Sequence, residues 1–460
     1  MPDSSLKIAV AGTGYVGLVS GVCLAAKGHD VTCVDLRAEV VEQLNRGEPH
    51  IHEKGLPELL RSAIAAGRFR ATTNLAEALS GRELVLIAVG TPSTDGRIDL
   101  TAIRKVSAEI GAILRQRREF LAVVVKSTVV PGTTDTVVKA GLEKASGKTA
   151  GEFGLGMNPE FLREGNAVED FMQPDRIVFG HEDARTLDLL GKLYAPWACD
   201  KLAVPTRTAE FIKYANNCLL ATQISAVNEL ANLAAALGGI DIAQVMQGVH
   251  ADKRWNPIRE GGARVNPAIL TYLIPGCGFG GSCFPKDVQA MRTQGADAGQ
   301  PMRVLQAVLD VNEQQPGQVM QLLQKSRADL RGVRVLVLGL AFKADTDDVR
   351  ESASGRILAD LDAAGARVSA HDPIAAANAR KAWPEAKADY IADWRAGLVT
   401  ADAVIIATKW PEYQALRDLA AAGALAGKTI IDARRMFGPA DFPGSHYFTI
   451  GFNPQSVSNP

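Results

Sequence analysis

The most pointed chemistry in this sequence is carried by a cysteine. Residues 276–287 read Gly-Cys-Gly-Phe-Gly-Gly-Ser-Cys-Phe-Pro-Lys-Asp. Gly280 and Gly281 stand just before Ser282 and Cys283 and leave the sulfur approachable. Lys286 and Asp287 put a cation and a base in the same turn, and a nearby cation favours thiolate, the nucleophilic form. A lone cysteine reads first as a small buried hydrophobe. The company of Gly, Lys and Asp points Cys283 to covalent chemistry instead and leaves Cys277 structural. Lys213 and Asn217 lie four apart and share a helix face. Spacing also leaves Lys213 open to a plainer pairing with Glu210, three residues back. Asn158-Pro-Glu-Phe-Leu-Arg-Glu-Gly165 holds Glu160 and Glu164, again four apart, a pattern that unsupported means only a charged surface.

A second kind of chemistry lies near the start of the chain. Gly12-Thr-Gly-Tyr-Val-Gly17 follows an apolar run and opens a small-residue helix, and Asp35 ends the next apolar run, 18 residues past Gly17. In that setting Gly12, Gly14 and Gly17, with Tyr15 and Val16, let a pyrophosphate approach a helix N-terminus. Asp35 accepts from a ribose 2′-hydroxyl and repels a 2′-phosphate, so NAD is favoured over NADP; Arg37 tempers that preference. A glycine turn that only packs helix on strand is the plainer reading. Lys126-Ser-Thr128 closes another strand at the sheet's carboxyl edge, where open α/β sheets bind ligands.

These groups need elements to hold them. Lys7–Ala11, Val31–Asp35, Glu83–Gly90 and Ala122–Lys126 read as strands alternating with helices, the grammar of an α/β doubly wound parallel sheet. The same grammar returns after residue 330, with Arg334–Gly339, Val368–Asp372 and Asp402–Thr408 in corresponding places. That predicts two Rossmann-like domains. The second lacks the glycine fingerprint, so it is not expected to hold a dinucleotide in the standard way. Between them, residues 206–237 contain neither Gly nor Pro, and Phe211, Tyr214, Cys218, Ala221, Ile224 and Val227 recur at helical steps. A helix of that length spans about 48 Å, a central strut with surface left for a partner subunit. The expected division is a cofactor-binding domain over 1–205, a helical domain with the strut and the Cys283 loop over 206–330, and a second Rossmann-like domain over 331–460.

Composition excludes several alternatives. The 460 residues are 47% hydrophobic with a formal charge of −1, so the chain reads as globular and offers no basic field for nucleic acid or an acidic membrane. Six scattered cysteines make no disulfide scaffold, and neither CxxC nor HExxH spacing marks a metal site; a reducing cytoplasm is the expected setting. Residues 8–26 lack charge over about a membrane-spanning length. A strand, a glycine turn and a helix start account for them better, and no basic leader marks a signal peptide.

The motifs GTGYVG (12–17), VGTP (89–92), KST (126–128), NPEFLREG (158–165), PDRIV (174–178), KYANN (213–217), GFGGSCFPKD (278–287), AFKADTDDVRES (341–352) and DAR (432–434) fall in order along the chain. In this the sequence resembles the UDP-glucose/GDP-mannose dehydrogenase family from Ile8 to about Phe452. The resemblance implies NAD-dependent, four-electron oxidation of a nucleotide sugar's C6 alcohol to a carboxylate, through a thiohemiacetal and a thioester on Cys283. It implies that Lys213 and Asn217 stabilise the oxyanion, that Asp287 and Thr128 position a water or proton acceptor, and that Glu160 is the base for thioester hydrolysis. Thr91, Thr128, Glu164, Lys286 and Arg350 match positions that touch the cofactor or shape its pocket. Glu160, Phe161, Leu162, Lys213, Asn217, Arg264, Gly280, Lys343 and Arg434 match positions at the nucleotide sugar, and a diphosphate calls for cations. A homodimer or higher homo-oligomer is implied as well.

Residues 252–278 are longer than the family's usual pattern, with Arg264 and Ile269-Leu270 in the familiar Arg…Phe-Leu slot, and DAR replaces the more usual DGR. PDRIV leans toward the UDP-glucose branch, so UDP-glucose is the expected substrate. The alternatives are another nucleotide sugar (GDP-mannose or a UDP-N-acetylhexosamine), a two-electron dehydrogenase of the 6-phosphogluconate or 3-hydroxyacid type, and a catalytically silent sugar sensor.

Overall fold

The apolar runs fold as central strands, and the turns after them carry the polar groups. The computed structural model describes residues 5–454. The chain divides into two compact units, 1–216 and 217–460.

The first unit is built on strands β1 (Lys7–Ala11), β2 (Asp30–Val34), β3 (Phe69–Thr72) and β4 (Leu84–Ile87), then a small antiparallel ribbon of β5 (Ser93–Thr94) and β6 (Arg97–Ile98) outside the main sheet. Strands β7 (Ala122–Val125), β8 (Gly154–Met157), β9 (Arg176–His181) and β10 (Asp200–Val204) complete it, in the order β3-β2-β1-β4-β7-β8-β9-β10. The first six run parallel in the dinucleotide-fold order. Side chains of β1 alternate between two cores: Ile8 and Val10 pack with Leu18 and Val22, Ala9 and Ala11 with Ile87 and Ile103. Both faces are covered, and for that reason the central strands β4 and β7 are apolar and buried at every position. Two strands depart from the parallel expectation: β9 runs antiparallel to β8, with Gly156 opposite His181, and β10 runs parallel to β9. Such a reversal needs no crossover helix, so the 158–175 connection is free to carry Glu160 and Glu164.

The second unit repeats the plan with β11 (Arg334–Leu338), β12 (Arg367–His371), β13 (Ala388–Tyr390), β14 (Ala403–Ile406), β15 (Thr429–Asp432) and β16 (His446–Thr449), all parallel, in the order β13-β12-β11-β14-β15-β16. The strand-end acid Asp372 is buried and turned back on its own domain. It accepts from Leu340 N at 2.8 Å, Ala341 N at 3.0 Å and Trp410 Nε1 at 3.0 Å. The amides after β11 that would face a phosphate are thereby spent on a carboxylate, which is why this turn does not imitate the first.

Helix α1 (Tyr15–Ala26) leaves the glycine turn, and helix α2 (Thr206–Leu237) runs 32 residues through the division between the units. Its buried positions include Ala209, Glu210, Lys213, Tyr214, Asn217 and Cys218. Phe211, which the apolar period places inward, is 50% exposed. One residue past Glu210 is about 100° around the helix, and the inward stripe is shared with polar groups that periodicity of apolar residues cannot see. Among the described residues no helix is long and apolar enough to cross a membrane.

Candidate active site

In the first unit a buried ion pair holds the polar face of α2. Lys213 Nζ lies 2.8 Å from Glu160 Oε1, with both side chains about 5% exposed or less. Thr128 Oγ1 donates to the same oxygen at 3.4 Å, and Leu162 N donates to Oε2 at 2.7 Å. Burial opposes the charge on Glu160, but Lys213 and the Leu162 amide outweigh it and keep the carboxyl below its usual range. The Phe161 ring is covered by Arg176 at 3.9 Å. Beneath lies Lys126, missed as a site residue by the sequence reading although it opens the KST motif. Its Nζ donates to Asn158 Oδ1 at 3.0 Å, and burial lowers it to about 8.

Glu210 is not Lys213's partner. It accepts from Gly132 N at 2.6 Å, Thr134 N at 2.8 Å and Thr134 Oγ1 at 2.6 Å, tethering the loop that follows Thr128. Burial pushes its carboxyl up to about 7 against those donors. A folded pKa above the unfolded value gives stability that is complete below about pH 4.5 and lost as pH rises through about 7. Glu210→Gln is therefore expected to flatten the difference in denaturation midpoint between pH 5 and pH 8 relative to the unsubstituted protein. An unchanged pH slope in the variant counts against this assignment.

The glycine turn fits a dinucleotide. Gly12 has φ +105° and a Cβ there would meet Ala88 O at 2.6 Å, while a Cβ on Gly17 would meet Gly12 O at 2.0 Å. Gly14 is different: its Cβ would project into open space at the N-cap of α1, a helix with no acid in its first turn. That is room and electrostatics for a pyrophosphate. Asp35 accepts from Thr13 Oγ1 and from Arg37 N at 3.0 Å. Burial works against its ionisation, but Arg37 and Thr13 prevail and hold it at about 2. Thr91 Oγ1 donates to Thr128 O at 2.8 Å, tying those two positions together. A residue outside every motif anchors the turn. Buried Glu53 accepts from Tyr15 OH, from Gly165 N at 2.8 Å and from Ala167 N at 2.9 Å, joining the glycine turn to the loop of Glu164, which is half-buried. Nothing in its local spacing marks it.

In the second unit Cys283 is half-buried at the N-cap of helix α3 (Phe284–Asp297), where the helix dipole favours thiolate. Ser282 Oγ lies 3.6 Å from its sulfur. One turn on, Asp287 is 1% exposed and takes Asn217 Nδ2 at 2.7 Å on one oxygen and Lys286 Nζ at 2.6 Å on the other. Cys277 is fully buried, and burial raises its thiol, as suits a structural role. Cys23, Cys33, Cys199, Cys218 and Cys277 are free thiols.

Beside this loop a cavity of about 290 Å³ is lined by Gly280, Lys343 and Arg434, with Tyr272, Phe279 and Lys409, the last three missed by the sequence reading. Aromatic faces and cations suit a nucleoside diphosphate. Arg434 is held by Ala407 O and Gly278 O, each at 2.8 Å, so it also pins the cysteine loop to β14. Arg264 is not among the described residues lining the cavity. It is exposed and donates to Asn256 O at 2.9 Å. Arg350 pairs with Asp348 at 2.8 Å, and its carbonyl receives Gly281 N at 2.9 Å.

Three domain models of one family match the chain consecutively: the NAD binding domain over residues 6–198, the central domain over 207–314 and the UDP binding domain over 336–439. The chain belongs to the UDP-glucose/GDP-mannose dehydrogenase family. Within that family it is 41% identical to the UDP-glucose 6-dehydrogenase of Haloferax volcanii, over 94% of this chain and 97% of that one. It is 38% identical to the UDP-glucose 6-dehydrogenase of Pseudomonas aeruginosa, over 99% and 98%. A solved UDP-glucose dehydrogenase from Pyrobaculum islandicum has 39% identity and a TM-score of 0.88, covering 98% of this chain and 99% of that chain. The family's NAD-binding model covers the glycine turn, Asp35 and the Glu160 loop, and its UDP-binding model covers Lys343 and Arg434.

Proposed function

We propose that the protein oxidises UDP-glucose to UDP-glucuronate with NAD. The observation that carries this is Cys283 at a helix N-terminus, one turn from the buried Asn217–Asp287–Lys286 cluster, in a chain that three domain models of its family match in order between residues 6 and 439. NAD, when bound, supplies the hydride acceptor for both oxidations. The chain's groups then have distinct tasks. Cys283 Sγ adds to the C6 aldehyde left by the first oxidation, so that the carbon again carries a hydrogen to lose. Lys213 and Asn217 face the oxyanion with a cation and an amide. After the second oxidation the carbon is a thioester, and water cleaves it to a carboxylate and the free thiol. Glu160, kept ionised by Lys213, accepts from that water, with Thr128 and Asp287 aligning it. Thr91, Glu164, Lys286 and Arg350 shape the cofactor pocket, and Phe161, Leu162, Gly280, Arg264, Lys343 and Arg434 hold the nucleotide sugar. The three-part division into 1–205, 206–330 and 331–460 assigns the cofactor to the first part, covalent chemistry to the second and the nucleotide to the third. A panel of nucleotide sugars tests the reading: UDP-glucose is expected to yield two NADH per sugar and to surpass GDP-mannose and UDP-N-acetylhexosamines. One NADH per sugar refutes the four-electron reaction.

The working assembly is a homodimer or larger, in a reducing cytoplasm that keeps the cysteines as thiols. Support comes from α2, where Leu219, Leu230, Leu233 and Leu237 are 64%, 53%, 55% and 54% exposed on helical spacing. Such a stripe suits a second copy. Leu230→Glu with Leu233→Glu is expected to halve the mass measured by light scattering without loss of helical signal. A parent protein already monomeric refutes the assembly.

A further inference from the structure

Arg37 and Asp35 form a cluster that an NAD-only site does not require. A carboxylate that selects NAD works by offering its oxygens to the ribose hydroxyls and repelling any added phosphate. Here both oxygens are already engaged. Oδ1 accepts from Arg37 N at 3.0 Å and Nε at 3.1 Å, and Oδ2 accepts from Thr13 Oγ1 and from Arg37 Nη2 at 3.2 Å. The carboxylate and guanidinium together carry no net charge. Their exposures differ: the Asp35 side chain is 10% exposed and that of Arg37 is 53% exposed, so the guanidinium is the one at the solvent side. Close by is His50, whose buried Nδ1 has no hydrogen-bond partner among the described residues; burial first, and then the Arg37 charge, lower its pKa. A half-exposed arginine fork, already beside the residue that reads the 2′ position, is the group that phosphate recognition calls for.

We propose that the protein also accepts NADP⁺, with Arg37 binding the 2′-phosphate. Asp35 remains as a brake, so NADP⁺ binds more weakly than NAD⁺ but within about 100-fold of it. The electron balance is that of the NAD reaction: two hydrides leave the sugar carbon and two NADPH form per acid. The inference rests on the NAD-binding reading of the first unit, and the test separates the two. Calorimetric titration of the whole protein with NAD⁺ and with NADP⁺, without sugar, gives both dissociation constants, and absorbance at 340 nm with UDP-glucose gives the matching turnover. Arg37→Ala is expected to weaken NADP⁺ at least tenfold relative to NAD⁺, and Arg37→Lys to retain part of the difference. Failure of NAD⁺ itself to bind overturns the underlying reading. Binding of NAD⁺ without NADP⁺ at millimolar concentration, or equal weakening of both by Arg37→Ala, overturns the role of Arg37 alone.

Discussion

Replacing Cys283 by serine is expected to lower UDP-glucuronate formation by at least about 10³-fold, with NAD⁺ affinity unchanged. The effect is large because no second group performs the sulfur's task. A hydroxyl at an ordinary helix N-terminus stays protonated near neutral pH, whereas a thiol placed there is drawn toward thiolate. The nearest alternative sulfur in sequence, Cys277, is fully buried with its thiol raised. Steady-state assay of acid and NADH, with NAD⁺ affinity measured separately, checks the expectation. Acid formed by Cys283→Ser at the parent rate refutes covalent catalysis.

The second large effect concerns Lys213. Lys213→Met removes the cation from a carboxylate that is almost completely buried, and breaking such a pair costs about 3–5 kcal/mol. It also removes the charge assigned to the oxyanion, which costs a further 10²- to 10³-fold or so in turnover. The two losses are separable. Glu160→Gln in the same chain removes the orphaned charge, so the double variant is expected to regain most of the lost thermal stability and none of the activity. Melting temperature and the single-turnover burst of NADH, which precedes hydrolysis and so does not need Glu160, measured on all four forms decide it. Recovery of activity with stability reduces Lys213 to a structural partner of Glu160.

Much of this fold is legible in the sequence because short apolar runs ending in glycine or acid have few other uses. The strands Lys7–Ala11 and Arg334–Leu338, and the helix over 206–237, lie where periodicity and the absence of Gly and Pro put them. The cysteine loop is legible for a similar reason: glycine, cysteine, lysine and aspartate crowd into a dozen residues. What escaped depends on contacts between distant segments. Lys213 and Glu160 are 53 residues apart, and local spacing offered Glu210 instead. Glu53 reaches Tyr15 across 38 residues and Gly165 across 112, with no local pattern to announce it. The direction of β9 escaped because a strand's own residues look alike in either orientation. Arg434 illustrates a subtler gap: a cation matched to a diphosphate also spends donors on two carbonyls of its own unit.

The most direct measurement stalls the reaction after its second oxidation. Glu160→Gln protein, given UDP-glucose and NAD⁺, then acid-quenched and digested, is read by mass spectrometry of the peptide containing residue 283. A UDP-glucuronyl adduct on that sulfur, released by hydroxylamine, is the expected result. Two equivalents of NADH per active site with the peptide's mass unaltered contradicts the account, because the sugar then reaches the acid level without ever bonding to the cysteine.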